Sequence, residues 1–318
     1  MTLPAVPPDF ASAAMLRVLA QGMRELGLSP PAATPEGATV DLGAKRALLT
    51  HAVQAGGLDC LALLGRGLHR FTHEPIHRAL ATARDARDLF ERWARLERYI
   101  HSRHRVQVVA VVPREARLRH VSLRAGAPPH PAEDLVVLGV LVAFLEACGH
   151  RSLMAWAGAA RVYPDCDGDA LARAVEQRTS HEWRIAWAAQ VEPPALEAAA
   201  PHRLAPDEAW PDGVKALFDR LVARLPAAPG MDALAAELGR ARRSLQRELQ
   251  QQGTGFRPLL AEARYRAAGW WLLHGGSALA EIGFLCGYAD QSHFTREFRR
   301  RSGMTPADYR RDFRAAKA

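Results

Sequence analysis

The fold of the C-terminal third is decided by two related stretches, ALAAELGRARRSLQREL at residues 233–249 and LAEIGFLCGYADQSHFTREF at residues 279–298. The offset between them is 48 residues in the first half and 49 in the second, because one residue is inserted between the halves. The matching positions are Ala235 with Gly283, Gly239 with Gly287, Leu245 with Phe294, and Leu249 with Phe298.

Each stretch has the pattern of two helices joined by a sharp turn. A small residue at 235 or 283 allows close helix packing, and the glycine four positions later readily adopts the positive φ angle of a tight turn. In the second helix, two apolar residues four apart fall on one buried face, which leaves the opposite face polar and basic. Because the pattern occurs twice, with an Arg-Glu pair between the apolar residues each time, we predict two helix-turn-helix units.

The net charge of the chain lies in the same region. Residues 213–318 contain 18 Lys and Arg against 10 Asp and Glu, whereas the other 212 residues contain 24 of each, so the last third carries the whole net charge of +8. A basic domain beside a neutral one favours a polyanionic partner, most often nucleic acid. With 48% hydrophobic and 24% charged residues, the chain is expected to fold into a soluble protein.

The sequence predicts an α+β N-terminal domain followed by an all-α domain, in which a long helix joins the two helix-turn-helix units. We expect domains at 1–195 and 213–318, with a proline-rich linker at 196–212. Predicted elements of the first domain are helices at 11–26, 75–100 and 131–148, a loop at 29–43, a hairpin of strands at 106–112 and 118–123, and a strand at 183–188. Predicted helices of the second domain are 214–225, 231–238, 242–252, 256–273, 278–286, 291–301 and 306–313.

Residues 214–312 resemble the DNA-binding domain of the AraC/XylS family of bacterial transcription regulators. The resemblance rests on RRSLQREL at 242–249, TGFRPLL at 254–260, Arg264 with Ala268, LAEIGFLCGYADQSHFTREFRR at 279–300 and GMTPADYR at 303–310. More faintly, residues 10–200 resemble the arabinose-binding-like N-terminal domain of one branch of that family, in their pattern of elements.

The resemblance implies that two recognition helices enter successive major grooves of double-stranded DNA, about 34 Å apart, with the long helix setting their separation. Arg suits guanine and Gln suits adenine as bidentate partners. The predicted base-contacting residues are Arg242, Arg243, Gln246 and Arg247 in the first unit and Gln291, Ser292, Thr295 and Arg296 in the second. Arg247 suits either a base or a phosphate, and Arg299, Arg300 and Arg301 are expected at phosphates, unless they are an ordinary solvated run.

The two recognition helices differ at their first residue. Asp290 stands where an N-cap belongs in the second unit, and its side chain can accept hydrogen bonds from backbone N–H groups. In the first unit the same position is Ala241, which cannot cap, although Ser or Thr is usual in the family that the chain resembles. We therefore expect the start of the first recognition helix to fray or to be held by DNA.

The resemblance also implies that the N-terminal domain binds a small-molecule effector or forms a homodimer, and that an activator would contact RNA polymerase. The sequence does not identify an effector. Trp156, Tyr163, Trp183 and Trp187 could line a pocket, although core packing is the preferred interpretation. The apolar helix at 134–148 is a candidate dimer face.

Several other patterns are weaker. His69, His73 and His77 are spaced like metal ligands on one helix, but Pro75 interrupts such a helix. DCDGD at 165–169 partly matches the pattern of a calcium-binding loop, but it lacks the glutamate at position twelve of that loop. We therefore expect a surface turn. We therefore predict no metal site and no cofactor.

No set of residues specifies enzymatic chemistry. His101, His104, Asp134 and Cys148 do not define a nucleophile with its base, and the four cysteines form no CxxC pair. The first ten residues lack the charged start and apolar core of a secretion signal, and the longest apolar run, at 135–145, is shorter than the ~20 residues of a membrane span, so we expect neither feature. We expect a non-enzymatic, cytoplasmic protein associated with the bacterial nucleoid. The alternative is an enzyme that its basic C-terminal domain tethers to nucleic acid.

Overall fold

A computed structural model describes residues 9–31, 39–72, 74–81, 83–191, 207 and 210–314. The chain divides into two compact units, Met1–Thr72 with Leu80–Pro194, and His73–Ala79 with Ala195–Ala318. The first combines helices with sheet and the second is helical throughout its described part, which confirms the predicted fold class. The predicted linker at 196–212 lies outside the described residues except at 207 and 210–212, and the predicted domain boundaries stay a prediction.

The first unit begins with two strands that each lead directly into a helix. Strands β1 (Phe10–Ser12) and β2 (Thr39–Asp41) pair antiparallel. Helices α1 (Ala13–Glu25) and α2 (Leu42–Gly56) follow them, each capped by the side chain of the last strand residue, and a 3₁₀ helix runs over Leu63–Arg70. The predicted helix at 11–26 is confirmed, whereas the predicted loop at 29–43 is wrong at its end, where β2 and the start of α2 lie.

The helix predicted at 75–100 is two helices, α3 (Pro75–Ala81) and α4 (Ala86–Ile100). The break has a local cause, because Asp85 caps α4 by accepting a hydrogen bond from the backbone N–H of Asp88 at 2.8 Å. Of the three spaced histidines, His69 lies in the 3₁₀ helix and His77 in α3, so no single helix carries them. His73 lies outside the described residues.

The first unit contains a five-stranded antiparallel sheet. In chain order its strands are β3 (His104–Val112), β4 (Glu115–Ser122), β6 (Met154–Ala157), β7 (Ala160–Tyr163) and β8 (Glu182–Ala186). They lie in the spatial order β3-β4-β8-β6-β7. The β3–β4 pair is the predicted hairpin, with a bulge between Val108 and Ala110. Two short strands, β5 (His150–Arg151) and β9 (Ala189–Gln190), pair separately, and α6 (Gly168–Glu176) lies between β7 and β8 in the chain.

Helix α5 (Pro131–Ala147) is the centre of the first unit. All of its residues from Ala132 to Leu145 are buried. The 3₁₀ helix packs so closely on it that a Cβ added at Gly65 would lie 2.2 Å from the carbonyl carbon of Gly139. The predicted dimer face at 134–148 is therefore wrong, because an apolar helix buried on every side is core.

The second unit consists of α7 (Asp212–Ala223), α8 (Met231–Glu237), α9 (Arg242–Gln251), α10 (Phe256–His274), α11 (Leu279–Leu285), α12 (Gln291–Ser302) and α13 (Pro306–Phe313). Every predicted helix of this region is confirmed, with ends within two residues of those observed. Helix α10 contacts α7, α11, α12 and α13, so it is the central helix of the unit.

Candidate nucleic-acid interface and a buried polar cluster

Helices α8 and α9 form the first helix-turn-helix unit. Between them, Gly239 has a φ angle of +64°, the conformation for which glycine was expected. Leu245 and Leu249 of α9 are buried, as is Ala235 of α8. The opposite side of α9 is exposed, so the predicted two-faced helix is present.

Helices α11 and α12 repeat the arrangement with an aromatic core. Gly287 turns the chain at a φ of +76°, and a Cβ there would lie 2.8 Å from the carbonyl oxygen of Pro226. Phe294 and Phe298 of α12 are fully buried, and the ring of Phe298 lies 5.3 Å from that of Tyr309. This second unit is therefore packed with large rings where the first uses leucines.

The predicted difference in capping is present. The side chain of Asp290 accepts a hydrogen bond from the backbone N–H of His293 at 2.7 Å and so caps α12. Ala241 occupies the N-cap position of α9 and makes no side-chain cap bond. The amide groups that begin α9 consequently lack the acceptor that α12 has.

Helix α10 joins the two helix-turn-helix units. A buried arginine of this helix holds it against its neighbours. Arg266 is 3% exposed, donates to Glu262 at 2.6 Å, and lies over the rings of Trp210 and Phe218 at 4.9 Å. A buried guanidinium needs such partners because burial removes its hydration. Trp270 and Trp271 of the same helix are half-buried.

The predicted base-contacting residues of α9 share one exposed surface. Those four side chains are Arg242, Arg243, Gln246 and Arg247. Arg242 donates to Asp232 of α8 at 2.8 Å, in a pair that is exposed on both sides. Within the described residues, Arg243 and Arg247 form no ion pair, so their guanidinium groups are available to DNA.

On α12, Gln291, Ser292 and Arg296 are exposed, and Thr295 is half-buried. Arg299 and Arg300 are exposed, and Arg300 donates to Glu297 at 2.9 Å, which holds the pKa of that carboxyl below its usual value. Arg301 differs from its neighbours, because it pairs with Glu262 and lies against Tyr265 of α10. Its position favours a structural role and argues against the predicted phosphate contact.

The N-terminal compact unit contains a buried polar cluster that the sequence does not predict. Lys45 of α2 lies 3.2 Å from Glu133 of α5 and 3.1 Å from the Nε2 atom of His101. His104 stacks on His101, with ring centres 4.8 Å apart. All four side chains are buried. No spacing in the sequence links these positions, since α2, α5 and the start of β3 meet only through the fold.

The trio His101, His104 and Glu133 places three possible ligand atoms within 4.8 Å of one another, yet it does not fit a metal ion. The Nδ1 atom of His101 accepts hydrogen bonds from the backbone N–H groups of Arg103 and His104, at 3.2 and 3.1 Å. The proton of the neutral ring is therefore on Nε2, which points at Lys45 and cannot also bind a metal. Burial lowers the pKa of Lys45, and the facing carboxylate of Glu133 acts in the opposite direction.

Beside this trio, Asp134 is held by two partners. Its carboxylate is 2.8 Å from Nδ1 of His120 and accepts a hydrogen bond from Ser180 at 2.8 Å. Burial raises the pKa of Asp134 to about 7 and lowers that of His120 to about 3. Both acidic residues at the start of α5 thus have their hydrogen-bond partners inside the unit.

A cavity of about 1050 Å³ opens above these carboxylates. Side chains of α2, the start of α5 and the segment after α6 line it, with Leu49, Glu133, Asp134 and Ser180 among the buried ones. Tyr163, Trp183 and Trp187, for which core packing is the preferred interpretation, are buried in the core and do not line this cavity. Trp156 lies 3.4 Å beneath the guanidinium of Arg184.

Known proteins match the C-terminal part of the chain. Residues 234–312 match a helix-turn-helix domain family. The ornithine utilization regulator of Pseudomonas aeruginosa is 39% identical over 90 residues, which is 28% of this chain and 26% of that protein. The HTH-type transcriptional activator RhaR of Escherichia coli K12 is 30% identical over 114 residues, 34% of this chain and 40% of that protein.

Two solved structures are similar. The C-terminal domain of AraT, a response regulator from Geobacillus stearothermophilus, is 24% identical and aligns over 33% of this chain and 88% of that one, with a TM-score of 0.31. The transcriptional regulator CdpR from Pseudomonas aeruginosa is 19% identical and aligns over 93% of this chain and 97% of that one, with a TM-score of 0.30.

The chain spans only 26% and 40% of the length of these two curated relatives. Residues 234–312 are thus a helix-turn-helix domain of the AraC type, which confirms the family resemblance for this part of the chain. Within the described part of the chain, helices fall short of the length and apolarity needed to cross a bilayer.

Proposed function

We propose that this protein is a sequence-specific DNA-binding regulator of transcription. The observation that carries the proposal is the repeated unit, in which α9 and α12 each bury two apolar residues and expose a polar, arginine-rich face. A helix of this kind can enter the major groove with its exposed face against base edges. The whole net charge of +8 lies in residues 213–318, which adds phosphate affinity.

In this proposal Arg243 and Gln246 read bases from α9, and Gln291 and Arg296 read bases from α12. Arg242 joins them by exchanging its exposed bond to Asp232 for a base, and Arg247, Ser292 and Thr295 complete the two faces. Arg299 and Arg300 contact phosphate. Such a protein works on the nucleoid in the cytoplasm, and as an activator it also contacts RNA polymerase.

The N-terminal compact unit would control DNA binding through a small-molecule effector or through homodimer formation. Its cavity is large enough for a metabolite, since ligand pockets commonly measure ~300–1,000 Å³. An effector acts only if it binds one arrangement of the protein more tightly than another. The match to the ornithine utilization regulator covers 28% of this chain and 26% of that protein, so it does not identify an effector for this chain.

The proposal is tested with Arg243→Ala and a matched control, Arg220→Ala, on the exposed side of α7. Operator sequences are first selected from random duplexes with the full chain. Losing a bidentate base contact should cost ~1–3 kcal/mol at the operator and relax preference at one position. The control should bind the operator as the wild type does. Equal weakening on operator and random DNA by Arg243→Ala would contradict base reading.

The alternative, an enzyme tethered to nucleic acid, predicts that outcome. Under it, substitutions on α9 and α12 would lower salt-dependent affinity without changing base preference. The tested variants therefore separate the two functions, and the matched relatives are regulators by name, which favours the first.

A further inference from the structure

We infer that the cavity of the first unit binds an organic carboxylate, with Arg46 and Arg178 holding the carboxylate and the apolar lining holding the rest of the molecule. This inference deepens the proposed effector control and rests on it for the regulatory consequence only. The binding site itself is argued from the cavity.

Two unpaired cations stand at the mouth of the cavity. Arg46 lies on α2 and Arg178 follows α6, so two separate elements bring their side chains to one opening. Both residues are exposed, and within the described residues neither guanidinium takes part in an ion pair. Guanidinium groups bind carboxylates with paired, charge-assisted hydrogen bonds.

The backbone at Arg178 is unusual. Its φ of +56° is a left-handed conformation, at a helix end where glycine is the ordinary residue. The backbone N–H of Arg178 bonds to the carbonyl of Val175 and that of Thr179 to the carbonyl of Ala174, which closes α6. An arginine held in this conformation needs a reason, and its place on the cavity rim supplies one.

The acidic groups of the cavity do not oppose an anion. Glu133 is paired with Lys45, and its other oxygen accepts from the backbone N–H of His130 at 3.0 Å. Asp134 is bonded to His120 and Ser180. The raised pKa of Asp134, about 7, further reduces the negative charge of the floor near neutral pH. The charges that face the opening without a partner are therefore positive.

The remaining lining decides what the carboxylate is attached to. Leu49, Val53, Pro128, Pro129 and Val175 present apolar surface, and Thr50 and Gln54 are neutral. Inorganic anions would leave this surface in contact with water, whereas an aliphatic or aromatic body would cover it. The site thus fits a molecule with one charged end and an apolar body.

The test uses octanoate and octan-1-ol, which share a body and differ in charge, with isothermal titration calorimetry on the full chain. Octanoate should bind at one saturable site, and octan-1-ol should bind about tenfold or more weakly, because it lacks the charged hydrogen bonds. The double variant Arg46→Gln/Arg178→Gln should lose about tenfold or more in octanoate affinity.

The matched control is Arg173→Gln, an exposed arginine of α6 that does not line the cavity, and it should change affinity by less than about twofold. Thr50→Trp, which fills the opening from an exposed position, should abolish binding of both probes. Equal binding of octanoate and octan-1-ol, an unchanged affinity in the double variant, or no binding of octanoate would each overturn the inference.

Operator binding measured with and without octanoate separates this inference from the proposed function. Octanoate binding that leaves DNA affinity unchanged keeps the site and removes its regulatory role. A chain that binds octanoate but shows no preferred DNA sequence keeps the site and removes the proposed function. Loss of octanoate binding in Thr50→Trp with intact operator binding supports the site independently of DNA.

Discussion

The two helix-turn-helix units share one pattern but differ in how firmly each is held. In the first, α9 begins without a cap, its buried residues are leucines, and a Cβ added at Gly239 would meet nothing within 4 Å. In the second, Asp290 caps α12, Phe294 and Phe298 are fully buried, and a Cβ added at Gly287 would meet backbone. The two copies thus share the turn geometry, and the second copy adds a side-chain cap and larger buried side chains.

This difference predicts that the two helix-turn-helix units depend on DNA to different degrees for their order. A helix with an uncapped start gains more from DNA phosphates or bases, which supply acceptors to its first amides. The first helix-turn-helix unit is therefore expected to become ordered on DNA to a greater degree than the second helix-turn-helix unit. Substitutions in the two units should differ accordingly.

The largest expected effect comes from the aromatic core. Phe298→Ala should lower the free energy of unfolding by ~3–5 kcal/mol, because it leaves a large cavity among Tyr265, Phe294 and Tyr309. Leu249→Ala, at the matching position of the first unit, should fall near the lower end of the ~2–5 kcal/mol range for leucine. Urea denaturation of the full chain measures both.

The control for the aromatic core is Phe284→Ala, since Phe284 belongs to the second unit but is 67% exposed. Its effect should stay within about 0.5 kcal/mol. If Leu249→Ala proved as costly as Phe298→Ala, the two cores would contribute equally and the comparison would fail.

The turn glycines should give the next largest difference. Gly239→Ala should cost ~1–2 kcal/mol in free energy of unfolding, the ordinary cost of a left-handed backbone for alanine. Gly287→Ala should cost more, by a further ~1–3 kcal/mol for overpacking, because its Cβ would lie 2.8 Å from the Pro226 oxygen. Thermal unfolding of both variants checks the order, and equal costs would show that Pro226 moves aside.

The caps should give the smallest effects, in opposite directions. Asp290→Ala should lower the free energy of unfolding by ~1 kcal/mol, and Ala241→Ser should raise it by ~1 kcal/mol, because each changes one cap bond. Hydrogen exchange at the first amides of α9 and α12 is the measurement. Unchanged protection at the start of α9 in Ala241→Ser would mean that this helix is already ordered.

The helical region could be predicted from the sequence because its signals are local. Small residue, glycine and apolar pair follow one another at fixed spacings in both copies, so the turns at Gly239 and Gly287 and the cap at Asp290 were expected before the structure. The break between α3 and α4 also has a local cause, the N-cap residue Asp85, although the pattern over 75–100 predicts one helix.

The N-terminal compact unit was less predictable, because tertiary contacts bring the residues of its site together. Arg46, Glu133 and Arg178 meet at one cavity although they are far apart in the chain. The prediction of a dimer face on α5 is wrong because a helix that is apolar on all sides indicates burial. Arg301 shows the same limit, since only packing on α10 separates it from Arg299 and Arg300.

The central claim, that the two units read separate groups of bases, is tested most directly by base-preference profiles of the wild type, Gln246→Ala and Gln291→Ala at one salt concentration. We predict that the variants relax preference in two different blocks of the operator, with centres about 10–10.5 base pairs apart. Relaxation of the same positions by both variants, or a uniform loss of affinity with the wild-type profile retained, would contradict the account.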